Sequence, residues 1–288
     1  MNKEFTALLE VSKKKANKWL DSDIDQKSKN EIIQLLNKKN QQLLLECFYK
    51  NLEFGTGGMR GIIGIGSNRV NKYTIGFATQ GLSNYLNKKF QSNISVAIAY
   101  DSRKFSKEFA QWSAEVFSAN KIKVYLFSEL RPTPELSFAI RKLKCNCGIV
   151  ITASHNPKEY NGYKVYWKDG GQITNPHDKL ILNEINKLND INQININKNN
   201  KNISLLNDKI DKEYINKIKS LSLNNNSNSN LKIIYTPIHG TGITQVPNAL
   251  KAFGFSKIII TKSQEKPDPN FSTVNSPNPE EYEALKEG

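Results

Sequence analysis

Cysteine, histidine, tryptophan and methionine are all scarce in this 288-residue sequence, at three, three, three and two copies. Cys47, Cys145 and Cys147 are too few for a disulfide framework. With only His155, His177 and His239 beside them they give no zinc spacing, so structural thiols are expected. Long apolar runs are missing as well. None approaches the ~20 residues of a bilayer span. Met1 to Leu20 lacks the apolar stretch of a signal peptide, and Glu4 and Glu10 argue against a transit peptide. No membrane partner is expected, and the expected location is cytoplasmic. Acidic residues are outnumbered, 27 against 41 Lys plus Arg, for a net charge of +14. The basic residues are spread along the whole chain among Asn and Ile. They are not interleaved with stacking aromatics as a nucleic-acid platform requires, so nucleic acid is not an expected partner. A modest positive field suits a small anionic substrate instead. Two common catalytic signatures are also absent: no Gly-x-Ser-x-Gly elbow surrounds Ser154, and no Gly-Lys-Ser/Thr phosphate loop occurs.

What remains is a soluble globular composition, 38% hydrophobic, enough for one large core or two moderate ones. Residues 3–50 read as helices, with Leu8, Leu9, Trp19 and Leu20 before a polar turn, then Ile32, Leu35, Leu36, Leu44 and Phe48 at helical spacing. After a glycine-dense segment from Phe54 to Gly66, strand and helix alternate. Ile94 to Tyr100 is a strand. Phe105, Phe109, Trp112 and Val116 form one face of a helix that Ser106 can cap. Lys121 to Phe127 is a strand, and Thr133 caps a helix with Pro134 at its first position. The runs 147–152 and Gly162 to Trp167 are further strands. This order predicts an α/β fold, a mainly parallel sheet flanked by helices. Residues 189–230 are polar and Asn-rich, which predicts loop or linker interrupted by a short helix from Ile210 to Ile218. A smaller unit follows: strand Leu231 to Tyr235, a helix through Val246, Leu250 and Phe253, and strand Ser256 to Thr261. The expected division is 1–206 for the first domain and 207–288 for a second, incomplete α/β domain.

The segment Thr152-Ala153-Ser154-His155-Asn156-Pro157 is the most informative. It ends a buried strand, and the carboxyl ends of strands are where open α/β sheets place their chemistry. Asn156-Pro157 favours a turn that holds Ser154 and His155 on a constrained loop; an ordinary capped turn has the same composition. Phe54-Gly55-Thr56-Gly57-Gly58-Met59-Arg60-Gly61 sets an arginine in permissive backbone, fit for an anion or for a plain turn. Asp101-Ser102-Arg103 follows a strand end and reads either as support for a site or as a surface ion pair. Lys164, in Asn161-Gly162-Tyr163-Lys164, can return toward Ser154 and shuttle protons, or be a solvated strand lysine. His239-Gly240-Thr241-Gly242 can hold an anion at a helix N-terminus or merely cap it.

Together these segments resemble the α-D-phosphohexomutase superfamily. Tyr235-Thr-Pro-Ile-His-Gly-Thr-Gly, Pro267-Asp-Pro-Asn-Phe271, Ser276-Pro-Asn-Pro-Glu280 and the opening Lys18-Trp19-Leu20-Asp21 extend the match to the phosphoglucomutase/phosphopentomutase branch. The resemblance implies that Ser154 is the phosphoserine, with His155 and Lys164 as general acid/base groups and Arg60 on the reacting phosphate. Asp101, Arg103, Asn156 and His239 would support the loop or the substrate. It further implies conversion of glucose 1-phosphate to glucose 6-phosphate through a sugar 1,6-bisphosphate, with Mg2+ bound to Ser154 through its phosphate. The family's Asp-x-Asp-x-Asp metal loop does not occur before Gly288, nor do its third and fourth domains. The expectation is therefore a weak or inactive phosphosugar mutase on its own, with a complementing C-terminal half as a possible partner. A phosphopentomutase, or a non-catalytic sugar-phosphate or partner-binding remnant, is the alternative.

Overall fold

The computed structural model describes residues 3–55, 57–196, 200–223 and 230–288. Thr56 and most of the Asn-rich tract from 224 onward lie outside them. The chain opens with three helices packed on one another, α1 (Lys3–Leu20), α2 (Gln26–Leu36) and α3 (Gln41–Phe48). Leu9, Ser12, Ala16 and Trp19 fall on the buried face of α1 at steps of three and four. Leu9, Ala16 and Trp19 pack in one cluster with Ile32, Leu35, Leu44 and Phe48, and Trp19 stands edge-on to Phe48 with ring centroids 5.5 Å apart. Asp25 starts α2 by accepting a hydrogen bond from the Ser28 amide.

Next come β1 (Phe54–Gly55), β2 (Gly58–Ile62), α4 (Lys72–Lys89), β3 (Ser95–Tyr100), α5 (Ser106–Ala119), β4 (Lys123–Phe127), α6 (Thr133–Lys142), β5 (Cys147–Ile151), β6 (Tyr160–Trp167), α7 (His177–Asn186), β7 (Ile203–Leu206) and α8 (Asp208–Lys219). The strands form one sheet in the order β1-β2-β6-β5-β3-β4-β7. Strands β5, β3, β4 and β7 pair in parallel, and β6, β2 and β1 continue antiparallel. Because antiparallel steps alternate, β2 runs with the parallel set, so the sheet is mainly parallel as expected. Helices cover both faces. Val96 and Ile98 pack with Ile75, Leu82, Phe109 and Ile181 of α4, α5 and α7. Ala97 and Ala99 pack with Leu136, Ile140 and Ile210 of α6 and α8. Double coverage explains why β3 and β5 are buried at every position. Small residues let α6 approach: a Cβ on Gly148 would meet Ile140 Cδ1 at 2.4 Å.

Three local expectations are corrected, and two helices are added. Ser106 is not the cap of α5; it is the first helical residue, follows Phe105 in left-handed backbone, and turns its hydroxyl to Asp101. Thr133 is likewise inside α6, with Pro132 as the flanking residue. The stretch 189–230 is not all linker: Ile203–Leu206 pairs with β4, and Ile191, Ile194 and Ile210 are buried. Its average polarity hid isolated Ile and Leu that suffice for an edge strand. Finally, α4 and α7 had no expected counterpart. Most of α4 is buried, from Tyr73 to Leu86, so it presents no single apolar stripe.

The smaller unit is β8 (Lys232–Tyr235), α9 (Gly242–Ala252) and β9 (Lys257–Ile260), followed by α10 (Tyr282–Leu285). Strands β8 and β9 pair in parallel, as a βαβ crossover requires. Between β9 and α10 the chain runs through a series of turns, gathered around the buried Gln264, whose amide donates to Thr273 Oγ1 and to the Ala284 carbonyl, each at 3.2 Å. All three cysteines are free and buried. Among the described residues no helix is long and apolar enough to cross a membrane.

Candidate active site at the carboxyl end of the parallel strands

Strand β5 delivers the chain to Thr152, whose amide still pairs with the Gly162 carbonyl of β6 at 3.1 Å. Two residues on, Ser154 turns into left-handed backbone at φ +59°. Such a conformation costs a non-glycine residue about 1–2 kcal/mol. It persists because its surroundings over-determine it. The Ser154 amide donates to Thr152 Oγ1 at 2.9 Å, and the Asn156 amide to the Ala153 carbonyl at 3.2 Å. Ser154 and His155 are exposed, with Ser154 Oγ 3.5 Å from His155 Nδ1. The loop thus holds a hydroxyl out into solvent at the carboxyl end of an interior strand.

The brace is Arg103. Its Nη1 donates to the carbonyls of Pro157 and Tyr160 at 2.9 and 3.1 Å, and its Nη2 to those of Ser154 and Asn156 at 2.9 and 2.6 Å. Its side chain is only 1% exposed, with Nε 3.4 Å from Asp101 Oδ2. The surface-ion-pair reading is thereby displaced: this guanidinium is buried and ties the whole turn to the start of α5. Asp101 is fixed in turn by the Arg103 amide at 2.9 Å and the Ser106 hydroxyl at 2.6 Å. Asn161 Nδ2 donates to Ser106 Oγ at 2.9 Å, which closes the network back onto β6. Burial pushes the Asp101 carboxyl up, opposed by hydrogen bonds from Ser106, Thr152 and Arg103 and by the Arg103 charge.

Arg60 reaches the loop from the other side. In the register of β2 and β6 it stands opposite Gly162, and Gly58 opposite Lys164. Paired residues share a sheet face, so Arg60 and Lys164 lie on one face, diagonal to each other. Arg60 Nη1 donates to Asn156 Oδ1 at 3.0 Å. Glycines make the approach possible: a Cβ on Gly58 would lie 2.0 Å from the Tyr163 carbonyl oxygen, and one on Gly162 would lie 2.7 Å from that of Met59. Burial lowers the Lys164 pKa first, and the Arg60 charge lowers it further, against Asp101.

The structure thus gathers Ser154, His155, Asn156, Arg60, Asp101 and Arg103 into one corner, with Lys164 diagonal to Arg60 on the same sheet face. It places His239 elsewhere: His239 is 4% exposed, with Nδ1 bonded to the Lys266 carbonyl and Nε2 to Thr273 Oγ1, both at 2.9 Å. Sequence reasoning missed the parts played by Thr152, Ser106 and Asn161, which depend on partners far along the chain. Among the described residues no group of three or more His, Cys, Asp or Glu side chains is placed to hold a metal ion. A cavity of about 380 Å3 between α1, α4 and α7, lined among others by Lys15, Trp19, Phe77 and Leu182, does not include the serine loop in its walls.

Residues 51–192 match the family model described as phosphoglucomutase/phosphomannomutase, alpha/beta/alpha domain I, and residues 212–288 match domain II of the same family. A phosphoglucomutase from Staphylococcus haemolyticus is 43% identical over 249 residues, covering 83% of this chain and 44% of that protein. A provisionally named phosphomannomutase from Thermus thermophilus superposes with a TM-score of 0.67 at 25% identity, covering 78% of this chain and 48% of the other. A phosphoglucomutase/phosphomannomutase family protein from Burkholderia thailandensis shares the fold with a TM-score of 0.64 at 21% identity, covering 81% and 48%. The chain spans less than half the length of the relatives it matches. With two consecutive domains matched along one chain, it belongs to the α-D-phosphohexomutase superfamily.

Proposed function

We propose that this chain carries the phosphoserine part of a phosphoglucomutase-type phosphosugar mutase. The observation that carries the reading is an exposed Ser154 hydroxyl on a left-handed turn, braced by Arg103, with Arg60 bonded to Asn156. Ser154 Oγ attacks the phosphorus of a sugar phosphate. The Oγ–P bond forms as the bond from phosphorus to the sugar oxygen breaks. The hydroxyl proton passes to a base and a proton returns to the leaving oxygen. Lys164, whose pKa is lowered by burial and then by the Arg60 charge, and His155 are the groups proposed for these transfers. Arg60 supplies a planar donor fork for the equatorial phosphate oxygens, which is where phosphoryl transfer concentrates its charge. The reverse transfer to the other sugar oxygen, by way of a 1,6-bisphosphate, completes glucose 1-phosphate to glucose 6-phosphate conversion.

Magnesium enters this proposal only through a phosphorylated Ser154. The described residues offer no carboxylate cage beside it, so no step is assigned to the ion. A separate C-terminal half is proposed as the partner that would supply further donors. The division at 206/207 belongs to the same proposal, since the large sheet ends on β7 at Leu206. A cytoplasmic place accords with a phosphosugar substrate. The test is incubation with glucose 1,6-bisphosphate followed by mass spectrometry. One phosphate on Ser154, lost in Ser154→Ala, is the expected result. An unmodified Ser154 at saturating bisphosphate, with Mg2+ present and with the C-terminal half of a relative added in trans, overturns the reading in favour of a non-catalytic binding module.

A further inference from the structure

Arg103 commits the edge of its guanidinium to four carbonyls, so its flat face is what remains for a neighbour. That neighbour comes from the other unit. The Phe271 ring centroid lies 5.3 Å from Arg103 Cζ, and Phe271 is only 5% exposed. Phe271 also sits in left-handed backbone at φ +50°, unusual for a bulky residue. The loop around it holds that conformation. Asp268 accepts from the amides of Asn270 and Ser272, each at 2.9 Å, and from the Ser272 hydroxyl at 2.6 Å. The Phe271 amide donates to the Asp268 carbonyl at 3.1 Å, and His239 clamps the two ends of the loop through Lys266 and Thr273. An otherwise unexplained buried histidine and a strained phenylalanine thus serve one outcome, an aromatic ring laid on Arg103.

We propose that Phe271 is a positioning residue for Ser154: by covering the Arg103 guanidinium it excludes water from the four carbonyl bonds that shape the serine loop, and so couples the second unit to the reacting hydroxyl. The proposal rests on the phosphoserine reading for its effect on chemistry, but not for its effect on loop order. Aromatic rings hold cations best where water is excluded. Removing the ring opens Arg103 to solvent, and solvent competes for every bond it makes.

The experiment is hydrogen exchange of the Ser154, Asn156 and Tyr160 amides, together with the rate of Ser154 phosphorylation by glucose 1,6-bisphosphate. In Phe271→Ala these amides are expected to exchange roughly tenfold faster. The phosphorylation rate constant falls by a similar factor, with the half-saturating bisphosphate concentration unchanged. Phe271→Tyr restores both, and Phe271→Leu restores less. Tyr282→Ala removes an exposed aromatic of the same unit (78% exposed) and leaves both unchanged. Protection of the β3 and β5 amides monitors folding in every variant. Unchanged loop exchange in folded Phe271→Ala overturns the proposal, as does Leu matching Tyr. Should wild-type Ser154 take no phosphate even with Mg2+ and the added C-terminal half, the phosphoserine reading fails alone, and the exchange arm still decides whether Phe271 orders the loop.

Discussion

The two sheets of this molecule are built to different standards. In the seven-stranded sheet β3 and β5 are buried at every residue, with helices on both faces. In the two-stranded sheet β8 and β9 alternate between half-buried and exposed, leaving Ile234 56% and Ile259 47% exposed. The large unit satisfies its own core and holds its serine loop by an internal polar network. The small one leans on its surroundings, with α9 packed on α8 and its own Phe271 loop against Arg103. Rigidity at the serine is thus supplied mostly from within its own unit and finished from outside.

The comparison is broken most severely at Arg103. Arg103→Ala strands Asp101 and four carbonyls, and losing one partner of a buried pair costs about 3–5 kcal/mol. A urea titration of the chain should show that loss, and phosphate uptake at Ser154 should fall below detection. Gly162→Ala comes next. Its Cβ would lie 2.7 Å from the Met59 carbonyl oxygen and 2.8 Å from that of Thr152, forcing β2 and β5 away from β6. A loss of about 2–3 kcal/mol is expected by the same titration.

The joint between the units gives a third test, read through pH. Glu135 of α6 is fully buried with neither carboxyl oxygen hydrogen-bonded, facing Arg131, Asp211 of α8 and Gln245 of α9. Burial first, and then the Asp211 carboxylate, push its pKa from 4.5 to about 9. Across that window Glu135 keeps its proton in the fold and loses it on unfolding, so stability falls as pH rises. Glu135→Gln removes the ionisation. Its melting temperature should exceed the wild type's at pH 8 and approach it at pH 5, with a gain on the order of 1–2 kcal/mol at pH 8. The smallest effect is expected on the open face of the small sheet. Ile234→Thr should stay within about 0.5 kcal/mol of wild type, as exposed substitutions do. A larger loss by calorimetry would mean that this face is covered in solution.

How much of this was legible in the chain depended on how far apart the partners lie. The fold was readable where one stripe or one run decides: Phe109 and Val116 of α5, or the β-branched residues before Thr152. It was not readable for α4, buried nearly all round, nor for β7, four residues in an Asn-rich stretch. The serine loop announced itself through Ser154-His155-Asn156-Pro157. Its brace showed only as one of two readings: Asp101-Ser102-Arg103 fitted support for a site as well as a surface ion pair, because the four carbonyls that receive Arg103 come from residues 154–160. His239 suggested a helix-terminal anion site because Gly240 and Gly242 follow it, whereas its ring nitrogens are both engaged in the loop that ends at Thr273. Long-range polar contacts leave no periodicity behind them.

The three sequestered thiols have a practical corollary. Burial pushes Cys145 up to about 11 and holds Cys47 and Cys147 above their ordinary range as well, so none presents a ready thiolate to a reagent. The native protein is therefore expected to react slowly with maleimides and iodoacetamides. A single cysteine engineered next to the turn, at exposed Lys158 for instance, would take a fluorophore alone and report the motions of that turn without background.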